Sequence, residues 1–130
     1  MKEKILVVDD EEGIRFSFAE LLKSAGYIVE TANSLESCKS VIEEGPFDLI
    51  ILDVALGAEN SIGAIEEIKD AQPQCGIVVI TGNPRVKGLV DSRNRGAIDY
   101  LVKPVHKASL LYNVKKSLAS QAKINQTYQD

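Results

Sequence analysis

At 130 residues the chain has room for one domain, and a domain of that size buries roughly two thirds of its unfolded surface without needing a disulfide or a structural metal. Apolar residues make up 45% and charged residues 26%, ordinary for a soluble globular domain, and a net charge of −4 leaves no electrostatic footprint for nucleic acid. No apolar run approaches the ~20 residues of a membrane span, and Met1-Lys2-Glu3-Lys4 leads into a strand rather than a signal peptide.

Lys4 to Val8 reads as a first strand, apolar throughout from Ile5, and it runs into four carboxylates, Asp9-Asp10-Glu11-Glu12. One or two acids would satisfy the positive end of the helix that follows; four exceed that need. That helix carries Ile14, Phe18, Leu21, Leu22 and Ala25 on one face and is closed by Gly26. Tyr27 to Thr31 is a mixed second strand. Asn33 and Glu36 read as the N-cap and N3 residues of a capping box, opening a helix that buries Leu35, Cys38, Val41 and Ile42 and stops at Gly45-Pro46.

Leu49-Ile50-Ile51-Leu52-Asp53 is a strand buried on both faces that ends on a carboxylate, followed by a turn-like stretch with Gly57, Asn60 and Ser61. Ile62, Ile65, Ile68 and Ala71 mark a third helix, capped by Asn60 or Ser61 and ended before Pro73. Gly76 to Thr81 is a wholly apolar fourth strand ending on a hydroxyl. A fourth helix is expected over about Pro84 to Arg95, with only Val86, Leu89 and Val90 as its stripe and Gly88 costing it ~1 kcal/mol. Ile98 to Val102 is a mixed fifth strand with Lys103-Pro104 at its end. The last helix starts near Lys107 and buries Leu111, Val114 and Leu118, its stripe fading after about Ala119. Residues 1–120 form the domain; residues 121–130 read as a polar helical tail or the start of a connector.

Five strands alternating with five helices imply an α/β, doubly wound, five-stranded parallel sheet. The continuously apolar strands one, three and four belong inside and the mixed strands two and five at the edges, giving the order 2-1-3-4-5. The topological switch point then lies between strands one and three, where Asp9, Asp10 and Asp53 converge. Charges ~4 Å apart repel by about 4 kcal/mol at an effective dielectric of 20, so the carboxylates call for protonation or a cation. A few hard oxygen donors in a wet cleft favour Mg²⁺. Thr81 and Lys103 bring a hydroxyl and an ammonium to the same rim, the clamp that phosphoryl transfer to a carboxylate requires.

The runs Val7-Val8-Asp9-Asp10, Ile51-Leu52-Asp53, Ile80-Thr81-Gly82 and Tyr100-Leu101-Val102-Lys103-Pro104, in that order and over about residues 3 to 120, resemble the receiver domain of two-component response regulators, a flavodoxin-like fold. The resemblance implies that Asp53 is the phosphoacceptor, that Asp10, Asp53 and the main-chain carbonyl of Ala55 bind Mg²⁺, and that Asp9 acts through a bound water. It also implies that Thr81 and Tyr100 are the switch hydroxyl and aromatic, that Lys103 pairs with the phosphoryl group, and that Lys103–Pro104 is cis. The implied partners are a sensor histidine kinase or phosphotransfer domain in the cytoplasm. An output domain or a second copy would be met through helix four, strand five and helix five, with Arg85, Lys87, Arg93 and Arg95 among the polar contacts. No turnover enzyme, nucleic-acid contact or membrane contact is implied. Gly57 and Ser61 depart from the family's usual Pro and Gly and bear on that loop's shape.

An FMN-binding flavodoxin shares the fold, but Asp9 and Asp10 would repel its phosphate. An aspartyl-phosphate hydrolase would carry a second Asp where Ala55 stands. The remaining rival is a pseudo-receiver that binds partners without phosphorylation. His106 reads as an exposed turn residue, Cys38 as core, both cysteines as free thiols of a reducing compartment, and Asn125-Gln126-Thr127 as a chance sequon.

Overall fold

The computed structural model describes residues 2–56, 59–82 and 95–129. Five parallel strands form the sheet: β1 (Lys4–Val8), β2 (Ile28–Ala32), β3 (Leu49–Asp53), β4 (Gly76–Thr81) and β5 (Asp99–Val102). Their order is β2-β1-β3-β4-β5, as the polarity of the strands predicts. β3 and β4 are buried at every position, whereas β2 at one edge and β5 at the other alternate or stay half-exposed. Strands covered on both faces must be apolar at every position, and strands at an edge need not be.

Two apolar layers result. One packs Leu6, Val8, Ile50, Leu52, Ile77 and Val79 against Cys38, Ile65 and Ile68; the other packs Ile5, Val7, Leu49, Ile51, Val78 and Ile80 against Phe18, Leu22, Leu110 and Val114. The period-two alternation of each strand thus divides its side chains between helices on opposite faces. Helix α1 (Glu12–Ser24) and the C-terminal helix (Lys107–Gln129) cover one face, α2 (Leu35–Glu43) and α3 (Ala64–Ala71) the other. The helix expected over Pro84 to Arg95 lies outside the described residues except for Arg95, which forms an exposed ion pair with Glu66 of α3 at 3.4 Å.

Several local expectations are corrected. The N-cap of α2 is Ser34, not Asn33, and the reciprocal partner is Ser37 rather than Glu36: Ser37 N donates to Ser34 Oγ at 3.1 Å and Ser34 N to Ser37 Oγ at 3.2 Å. Asn33 accepts instead from the Ser37 hydroxyl. α3 has no side-chain cap, because a 3-10 turn, Ser61–Gly63, precedes it and Gly63 occupies the capping position. The turn-like stretch after Asp53 contains a two-stranded antiparallel ribbon, Ala55–Leu56 with Glu59–Asn60. The C-terminal helix runs to Gln129, so the polar tail is helical, but its buried face is Leu110, Asn113, Val114, Ser117 and Gln121, with Leu111 and Leu118 only partly covered. Gly76 permits the close approach of that helix: a Cβ there would lie 3.0 Å from Leu49 Cδ1 and 3.4 Å from Gln121 Cβ. Gly26, at φ +101°, closes α1 as its sequence position predicts.

Candidate functional site at the carboxyl ends of β1, β3, β4 and β5

The register of the sheet brings the predicted residues to one rim. Val8 pairs with Leu52, Asp53 with Ile80, and Thr81 with Val102, so the strands run out side by side. Asp9 follows β1, Asp53 ends β3, Thr81 ends β4, and Lys103 follows β5, its N–H bonded to the Thr81 carbonyl at 2.8 Å. Carboxylate oxygens of Asp9, Asp10 and Asp53 all lie within 4.8 Å of one another. Asp9 and Asp53 are buried, at 1% and 2% exposure, while Asp10 faces solvent. At such distances each ionised pair repels by about 3–4 kcal/mol at an effective dielectric of 20.

Lys103 offsets part of that repulsion. Its Nζ lies 3.1 Å from Asp9 Oδ2, 3.2 Å from Asp53 Oδ2 and 3.7 Å from Glu11 Oε1. Burial alone would lower its pKa, but the polar contact with Asp9 and the charge of Asp53 outweigh that and raise it above the ordinary lysine value. Asp9 is held from several sides. Its N–H donates to Ala32 O at 3.1 Å, its Oδ1 accepts from Glu11 N at 2.9 Å, and its carbonyl accepts from Arg15 Nη1 at 2.8 Å. Asp9 Oδ2 is fully buried and, apart from the ion pair, has no hydrogen bond of good geometry among the described residues. A buried carboxylate oxygen so placed, beside two more within 4.8 Å, fits a hard cation's demand for oxygen donors. The cluster could hold a metal ion.

Thr81 is buried at the rim and Tyr100, on β5 opposite Val79, is half-buried against the α2–α3 layer. Ala55 lies in the ribbon two residues beyond Asp53. Lys103–Pro104 is cis. His106 is exposed at the start of the C-terminal helix, its carbonyl accepting from Leu110 N, and is not among these residues. Gly57 lies outside the described residues, as do Arg85, Lys87 and Arg93. Two contributors escaped the sequence reading: Glu11, as a third carboxylate near Lys103, and Arg15. Their signal was a helix start packed with acids and an arginine one turn further on.

Residues 5–115 match the model of the response regulator receiver domain, and the chain belongs to that family. Alginate biosynthesis transcriptional regulatory protein AlgB of Pseudomonas aeruginosa is 35% identical over 115 residues, covering 88% of this chain and 26% of AlgB. The crystal structure of a CheY-like receiver domain protein from Methanospirillum hungatei superposes with a TM-score of 0.89 at 31% identity, covering 95% of this chain and 98% of that one. A response regulator from Burkholderia pseudomallei, crystallised with a phosphorylated aspartic acid, a calcium ion and citrate, gives a TM-score of 0.82 at 27% identity, covering 99% and 75%. The chain spans about a quarter of the length of the curated relatives it matches. No helix among the described residues is long and apolar enough to cross a membrane.

Proposed function

We propose that this domain accepts a phosphoryl group onto Asp53 from a phosphohistidine of a sensor kinase or phosphotransfer domain in the cytoplasm. The observation that carries the reading is the placement of Lys103 Nζ, 3.2 Å from Asp53 Oδ2, beside the three-carboxylate cluster. An Asp53 oxygen forms the new O–P bond as the P–N bond of the donor breaks and its imidazole departs. Asp10, Asp53 and the Ala55 carbonyl would hold Mg²⁺ directly and Asp9 through water. When bound, the ion offsets negative charge on the transferring phosphoryl oxygens. Lys103 turns from the carboxylate to a phosphoryl oxygen, which it meets as a fixed ammonium. Thr81 then donates its hydroxyl to another oxygen and moves inward, and Tyr100 follows into the space beside it. The output face comprises β5, the C-terminal helix and the preceding segment at about residues 84–95. It would bind an output domain or a second copy. The phosphoryl group biases that face only by its differential interaction with the two states. The domain modifies itself and turns over no other substrate.

Incubation with acetyl phosphate and Mg²⁺ should add one base-labile phosphate by mass spectrometry, and Asp53→Asn should abolish it. In parallel, beryllofluoride should shift amide resonances from Asp53 as far as residues 99–102, a spread that Thr81→Ala should curtail. No phosphate on Asp53 in the wild-type chain would leave the phosphorylation-independent interaction module as the reading.

A further inference from the structure

Besides Lys103, Arg15 also reaches the acidic cluster, and it touches main chain rather than carboxylate. The ladder that fixes β1 ends at Val8, paired with Ala32 on one side and Leu52 on the other. One further bond, Asp9 N–H to Ala32 O, completes it. The carbonyl of Asp9 is therefore the first group past the sheet, and it belongs to the peptide that joins Asp9 to Asp10. A rotation of that peptide would swing the Asp10 carboxylate relative to Asp53. Arg15 Nη1 donates to this carbonyl at 2.8 Å from the first turns of α1, where Arg15 N is itself bonded to Glu11 O. α1 is anchored on the sheet through Phe18, Ala19 and Leu22, so the guanidinium reaches back six residues from a fixed base.

We infer that Arg15 is a positioning residue for the acidic cluster: by clamping the Asp9–Asp10 peptide it holds Asp10 where its carboxylate can share a cation with Asp53. The inference rests on the reading of the cluster as a Mg²⁺ site. It separates by sign from a plain charge effect. A cation near the cluster repels a second cation, so loss of the Arg15 charge alone would tighten Mg²⁺ binding. Loss of the clamp weakens it, as removal of groups that orient metal ligands does.

The test is Mg²⁺ titration by calorimetry and amide shifts on the full chain, in the wild type, Arg15→Met and Arg15→Lys. Arg15→Met, which keeps the stem without donors or charge, should weaken binding about tenfold. Arg15→Lys, which can reach the same carbonyl with one donor, should recover most of that loss. The rate of phosphate uptake from acetyl phosphate should fall in Arg15→Met at low Mg²⁺ and return to the wild-type value at saturating Mg²⁺, a pattern that a general loss of structure would not give. Should Arg15→Met fail to fold, Arg15→Gln, which is uncharged and whose amide ends two atoms short of the guanidinium nitrogen that meets the Asp9 carbonyl, should bind Mg²⁺ more weakly than wild type. Equal or tighter binding in a folded Arg15→Met or Arg15→Gln protein overturns the positioning role and leaves the Mg²⁺ site standing. A wild-type chain that binds no Mg²⁺ overturns both.

Discussion

The two ends of the same five strands are built on opposite principles. At the carboxyl end, three like charges lie within 4.8 Å of one another, and Lys103 pairs with two of them, Asp9 and Asp53. At the amino end, polar groups meet complementary partners. Gln72 accepts from Phe47 N at 2.9 Å and donates to the carbonyls of Ile42 and Gly45 at 3.0 and 3.1 Å. Lys69 caps the chain after α3 by donating to the carbonyls of Pro73 and Cys75. Lys4 N donates to Asp48, and Asn125 of the C-terminal helix donates to Gln74 O. Satisfied polar groups stabilise, and convergent like charges do not. The amino end therefore holds the fold together, and the stability it supplies permits the carboxyl end to stay electrostatically frustrated and ready for a cation.

The largest expected effect comes from breaking the carboxyl end. Asp10→Ala should weaken Mg²⁺ binding by on the order of tenfold or more. Unfolding stability should stay unchanged or rise by up to about 1 kcal/mol, because one carboxylate fewer relieves repulsion that solvent already screens at this exposed position. Calorimetric titration and urea unfolding of the same sample check both halves. A variant that lost stability in proportion to affinity would show that the cluster helps to hold the fold.

The reverse is expected at the amino end. Gln72→Ala removes three part-buried hydrogen bonds, each with a net value of about 1 kcal/mol, and leaves the Phe47 N–H without its partner. A loss of roughly 2–3 kcal/mol in urea unfolding should accompany unchanged Mg²⁺ affinity and unchanged phosphate uptake. A fall in either activity would mean that the two ends are coupled through β3 and β4.

The sheet was legible because burial on both faces demands unbroken apolar runs, and Ile5–Val8, Leu49–Leu52 and Ile77–Ile80 are all fully or almost fully buried. The family's motifs pointed to Asp9, Asp10, Asp53, Thr81 and Lys103, and the parallel register brings them to one rim. What escaped was carried by other signals. Asn33 and Ser34 are both good N-caps in tandem, and only the backbone path decides which is used. Two-residue strands such as Ala55–Leu56 are shorter than any detectable period. The inner face of the C-terminal helix runs through Leu110, Asn113, Val114, Ser117 and Gln121, three of them polar, so a search for apolar periodicity chose Leu111 and Leu118 instead and missed the buried polar positions. There Asn113 donates to Asp99 at 2.9 Å, Ser117 donates to Asn113, and Gln121 donates to Asn125 at 3.0 Å, pairings that sequence alone does not reveal.

The smallest effect sharpens the comparison by pH. Burial raises the Cys75 thiol, which leads into β4 at the amino end, from 9.0 to about 12, and the Cys38 thiol in the α2–α3 layer to about 11. A group with a raised folded pKa contributes stability that is complete below its unfolded pKa and is lost as pH rises through the folded one. The thiols should therefore begin to cost stability above pH 9, where the unfolded chain ionises them first. Tyr27, raised by burial and then by Glu3, adds the same slope from pH 10. Lys103, raised at the carboxyl end, adds it above 10.5. Lys69 acts in the opposite sense: burial lowers it, so the unfolded chain takes up its proton more readily and stability gains as pH climbs towards 10.5. Urea midpoints should thus be level from pH 7 to 8.5 and decline from pH 9 upward. Cys38→Ala with Cys75→Ala should flatten the portion between 9 and 10, leaving the later decline. Lys103→Met should instead flatten only the part above 10.5. If the thiol variants leave the whole curve unchanged, the alkaline loss begins with Tyr27 or Lys103 rather than with the buried thiols.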